Sequence, residues 1–148
     1  MVIVEDAPNS RGRLPTYRDL GTARGRPPAA IPFPCGTPWS PDCWEASFDI
    51  DIARKAVTRG DTADIAGCLF RVVEVCAQAL HGRAEYWLIN EKDAVASAGR
   101  LSGAPAGFAE RAQGVLAQLG ATSSELSRAI DLARDLLADT TNVCRPSR

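Results

Sequence analysis

Three groups of side chains in this 148-residue chain have the types and spacing to do chemistry. The first is Asp49 and Asp51, set one residue apart inside the alternating run Ser47-Phe48-Asp49-Ile50-Asp51-Ile52. On a strand both carboxylates would share a face and could hold one divalent metal. On a helix, residues two apart diverge and cannot. The second is a polar set on one long helix, Arg71, Glu74, Gln78, His81, Arg83 and Glu85, in which the only histidine, His81, shares a face with Gln78 and Glu85 at three- and four-residue steps. Its imidazole has the chemistry of a general base or a phosphate contact. The third is Arg83 followed by Asn90-Glu91-Lys92, a polar group able to take a ligand.

Each group also has a purely structural reading. Ala53 to Arg59 continues a helical pattern without a break, which makes Asp49 and Asp51 two acids on a helix surface. A lone His beside an apolar stripe is commonly a satisfied structural side chain, and Asn90-Glu91-Lys92 reads equally as a solvated helix end. No G-x-S-x-G, no glycine-rich phosphate loop and no C-x-x-C accompanies these residues. The five cysteines are odd in number and scattered, so neither a disulfide framework nor a zinc set is expected, and no metal is assigned.

Composition narrows the classes. The net charge of −1 argues against general attraction to nucleic acid or an anionic membrane. No apolar run approaches the ~20 residues that span a bilayer. The first residues lack the features of a signal peptide, so the expected compartment is the cytoplasm.

The elements that must position these groups are helical. Residues 1–41 hold eight of the ten prolines and read as an irregular N-terminal arm. Residues 42–142 read as the domain, and 143–148 as a tail. Its first helix is expected over 42–59, with Trp44, Phe48 and Ile52 facing inward. Gly60 is placed to end it in a left-handed cap, and Asp61 to cap the next helix. That second helix carries Ile65, Leu69, Val72, Val73, Cys76 and Leu80 at helical steps, and its stripe extends toward Ala84, Trp87 and Leu88. A short helical piece follows Lys92 and stops at Gly99. Pro105 is placed in the first turn of a helix with Phe108, Ala112, Val115, Leu116 and Leu119 inward. Thr122 and Glu125 match a capping box for a last helix with Leu126, Ile130, Ala133, Leu136 and Leu137 inward. The expected fold is all-α: an antiparallel helical bundle of four main helices.

Longer words in the chain carry a resemblance. Trp44-Glu45-Ala46-Ser47-Phe48, Arg59-Gly60-Asp61 and Ala66-Gly67-Cys68-Leu69-Phe70-Arg71 resemble the C-terminal helical half of actinobacterial nucleotidyltransferase-domain proteins of the DNA polymerase β superfamily. So do Ala79-Leu80-His81-Gly82-Arg83-Ala84 and Trp87-Leu88-Ile89-Asn90-Glu91-Lys92. The resemblance covers about residues 42–140. It implies a bacterial, cytoplasmic, substrate-side accessory domain whose catalytic half is missing, with His81, Arg83, Asn90, Glu91 and Lys92 lining a groove. Implied partners are a nucleotide or small-molecule acceptor and a catalytic domain or second copy. NTP and magnesium enter only if the family activity is retained.

Two alternatives remain. In the superfamily a Gly-Ser turn precedes Asp-x-Asp on a strand, and Gly36-Thr37 stands at a comparable distance before Asp49 and Asp51, which would make the chain an active metal-dependent transferase. The other is a purely structural, dimerising bundle. Small helical partners of minimal nucleotidyltransferases with ribonuclease activity place a histidine soon after an arginine. Arg71 and His81 are too far apart for that.

Overall fold

The computed structural model describes residues 44–145, with 87, 89 and 90 excepted. The proline-rich arm, the expected helix start at Asp42, and Asn90 lie outside the described residues. The chain forms α1 (Trp44–Val57), α2 (Thr62–Arg83), α3 (Ala94–Gly99), α4 (Phe108–Ala117) and α5 (Ser123–Cys144). The protein is an all-α helical bundle of four main helices, with α3 as a short fifth. No described helix is long and apolar enough to cross a membrane.

Local chemistry sets most boundaries. Gly60 takes φ +64° and turns the chain out of α1. Asp61 Oδ1 accepts from the Asp64 amide at 3.1 Å, satisfying a free donor at the start of α2. The turn is so tight that α1 and α2 run antiparallel, with Arg59 reaching Asp64 beside the turn and Arg71 reaching Asp49 about three helical turns away. At α5 the Thr122 hydroxyl accepts from the Glu125 amide while the Glu125 carboxylate accepts from the Thr122 amide at 3.0 Å. That reciprocal pair is the expected capping box.

The core is built from α2 and α5, with α1 laid across both. Ile65, Leu69, Val72, Val73, Cys76 and Leu80 are buried from α2, and Leu126, Ile130, Ala133, Leu136 and Leu137 from α5, as their periodicity requires. Cys68 and Cys76 are buried and act as small apolar residues in the core. At the other end α3 packs on α2 and α4. A Cβ on Gly99 would stand 2.8 Å from the Ala109 Cβ, so only glycine lets these two segments touch.

Three expectations fail. In α1 the buried stripe is Ala46, Asp49, Ile50, Ala53 and Ala56, while Trp44 and Phe48 face solvent and Ile52 is half-buried. Four-residue spacing places Trp44 and Phe48 together but does not say which face meets the core. The small alanines win because they let α1 approach both neighbours closely. Second, α2 does not continue through Lys92. It ends at Arg83, where the Tyr86 amide donates to His81 O and the Glu85 amide to Gly82 O, a Schellman closure with Glu85 at φ +57°. Glu85 therefore leaves the helix face assigned to Gln78 and His81. Third, Pro105 lies ahead of α4 rather than in its first turn. Gly107, at φ +63°, precedes Phe108, whose amide donates to Pro105 O.

Candidate functional site

The strand that would aim Asp49 and Asp51 at one metal is not formed: Phe48 to Ile52 lie within α1. The two acids diverge. Asp51 is exposed, whereas Asp49 is 7% exposed and lies inside the α1–α2 contact. This differs from the expectation of two surface acids. Arg71 Nε donates to Asp49 Oδ2 at 3.2 Å, and its Nη2 donates to Glu45, so one guanidinium fork joins two turns of α1. A buried carboxylate needs such a partner. The same two acceptors hold Arg71 above the ordinary arginine range, with the hydrogen bond to Asp49 as the leading cause.

His81 sits on the last turn of α2 and is 5% exposed. Its Nδ1 lies 2.8 Å from Ala77 O, one turn back. A carbonyl can only accept, so Nδ1 carries the proton, and in the neutral ring Nε2 is left as the acceptor. The Ser97 hydroxyl lies 3.0 Å from Nε2 and 3.0 Å from Ala94 O, able to donate to either. Ser97 belongs to α3, so His81 ties α3 to the end of α2. A general base needs a free, reachable lone pair. His81 is too enclosed to offer one.

Around this buried tie stand the other sequence candidates. Arg83, Glu91 and Lys92 are exposed on the α2 terminus and the connection to α3. The Arg83 guanidinium lies over the loop before α4, where a Cβ on Gly103 would fall 2.7 Å from Nη1. Gly103 also takes φ +84°, so glycine is doubly required for the arginine to rest there. The fold thus separates the proposed set into an inner member, His81, and an outer group of Arg83, Glu91 and Lys92.

Glu74, another member of the polar set on α2, is also turned inward. Glu74 is 9% exposed, and its Oε2 has no hydrogen-bond partner among the described residues. Burial, and then the nearby negative charge of Glu91, hold the Glu74 carboxyl above the usual glutamate range. Its position beside Val72, Val73 and Cys76 accounts for that burial: a carboxylate bordering an apolar stripe. Elsewhere, a groove of about 320 Å³ opens between α1 and α5, lined by Arg54, Val57, Thr58, Ser127, Ile130 and Asp131. Arg54 and Asp131 span it as an ion pair at 3.5 Å. None of the sequence candidates lines it.

Among the described residues no group of three or more His, Cys, Asp or Glu side chains is arranged to hold a metal ion. Comparison with known proteins gives no matching family model, no matching curated protein and no matching solved structure.

Proposed function

We propose that this chain is a helical, substrate-side accessory module of a nucleotidyltransferase-like system, contributing recognition and no chemistry of its own. The observation that carries this reading is the state of His81: buried, engaged at both ring nitrogens, and spent on joining α2 to α3. Asp49 is similarly committed, to Arg71. Arg83, Glu91 and Lys92 are exposed, and such an outward polar group can take a ligand. A nucleotide triphosphate suits the two cationic side chains, since a guanidinium and an ammonium both donate to phosphate oxygens.

The test pairs binding with transfer. ATP with magnesium is titrated into the full chain and followed by calorimetry, with Arg83→Ala and Lys92→Ala as variants. Saturable binding is expected, weakened about tenfold by each change, the loss of one charge-assisted contact. Nucleotide transfer onto any acceptor by the chain alone, abolished by Asp51→Asn, would establish the active-enzyme alternative instead. Asp51 is an exposed helix residue, so that variant leaves the fold intact. Absence of nucleotide binding overturns the recognition role.

A further inference from the structure

His81 and Ser97 stand 16 residues apart in sequence and join the last turn of α2 to α3. The join matters most to α3. That helix has six residues, carries no charged side chain, and begins after Asp93 without a side-chain cap. A helix so short does not hold its form by itself and depends on its contacts. The connection bearing Glu91 and Lys92 is strung between the same two anchors.

The atoms around the ring suit it in either charge state. In the neutral ring Nδ1–H donates to Ala77 O at 2.8 Å, and the Ser97 hydroxyl, 3.0 Å from Nε2, is able to donate to the remaining lone pair. Protonation adds a hydrogen at Nε2, which then needs an acceptor. A hydroxyl both donates and accepts, and Ser97 Oγ also lies 3.0 Å from Ala94 O. Its oxygen can therefore accept from Nε2–H while its own hydrogen turns to Ala94 O, with no movement of heavy atoms. The carbonyls at the end of α2 favour a cation there. Among the described residues no carboxylate pairs with the ring. On α2, Glu74 lies two turns back and Arg83 is exposed; in the connection Glu85, Glu91 and Lys92 are exposed and Asp93 pairs with Arg100. On α4, Glu110 is exposed and Arg111 pairs with Asp139, and the charged side chains of α5 are all exposed. The α1 acids Glu45 and Asp49 are held by Arg71, about 15 Å along α2 from His81. The response to a proton on the ring thus falls to Ser97. We propose that the Ser97 hydroxyl is a two-way partner of His81, reversing its hydrogen bond as the ring gains or loses a proton, so that α3 stays latched to α2 in both states.

Long-range nitrogen–proton correlation spectra of the full chain read the ring directly, because His81 is the only histidine. At about pH 8 the proton should sit on Nδ1; at about pH 5 both nitrogens should be protonated, with the amides of α3 keeping their exchange protection. Ser97→Ala supplies the pH profile. It strands only an acceptor of the neutral ring, but in the charged ring it buries a cationic N–H without a partner, the costlier loss. The folded variant then binds the proton less tightly than its unfolded chain, so its stability falls as the pH falls. Its melting-temperature deficit against the parent should be at least about twofold larger at about pH 5 than at about pH 8. In a His81→Gln background the deficit should be the same at both. A proton on Nε2 in place of Nδ1 at the higher pH, a ring that stays neutral until the protein unfolds, α3 amides that lose protection as the ring is protonated, or a deficit indifferent to pH would each overturn the proposal. The spectra of the parent decide it even where the double variant fails to fold.

Discussion

His81 is a residue whose chemistry is consumed by its neighbours. Ala77 O and the Ser97 hydroxyl lie against the two ring nitrogens, so removing the ring empties a buried space and breaks the tie between α2 and α3. His81→Ala should destabilise the fold by about 2–4 kcal/mol in denaturant titration, combining cavity and lost hydrogen bonds. Glu74 invites the opposite result. Its carboxyl is held above the ordinary value of 4.5 by burial and by Glu91. Below the unfolded-state pKa both states are protonated and the residue makes no pH-dependent difference. As pH rises toward and through the raised folded value, the unfolded chain ionises more readily, and stability is lost. Glu74→Gln should therefore match wild type near pH 4 and have the higher melting temperature at pH 7. A melting-temperature difference independent of pH would show that the carboxyl is not titrating in a buried site.

At the scale of elements, the ends of helices were more legible than their faces. Gly60, Asp61, Thr122 and Glu125 act locally, through backbone geometry and donors a few residues away, and each performs the role its type suggests. The end of α2 was not legible. A stripe through Ala84, Trp87 and Leu88 suggested continuation, but the helix closes with glutamate in the left-handed position that glycine normally fills. That conformation costs an L-residue about 1–2 kcal/mol, of which glycine's greater unfolded-state freedom would return part. Glu85→Gly should accordingly stabilise the protein by about 0.5–1 kcal/mol, read as a higher denaturation midpoint. A loss of stability would mean that the Glu85 side chain holds the connection to α3.

For the whole molecule, the decisive feature is how closely α1 lies on its neighbours. Ala46, Ala53 and Ala56 are fully buried, and the Asp49–Arg71 pair is enclosed in the same contact. Ala53→Leu should overpack this interface and cost about 1–3 kcal/mol or more, measured by thermal or chemical unfolding. An exposed control, Ser47→Leu on the same helix, should cost under about 0.5 kcal/mol. Equal effects would place the core face of α1 elsewhere.

What the sequence by itself determined is the all-α class, the bundle of four main helices, the inward faces of α2 and α5, and the caps at the α1–α2 turn and at α5. These depend on periodicity and on neighbours close along the chain, so they are written locally. Only the tertiary structure decided that α1 turns its aromatics outward, that Asp49 is enclosed against Arg71, that His81 is locked to Ser97, and that Glu74 is buried. Each of these depends on what an adjacent helix presents at a few ångströms. Spacing within one helix brings residues to a common face but does not state what that face will meet.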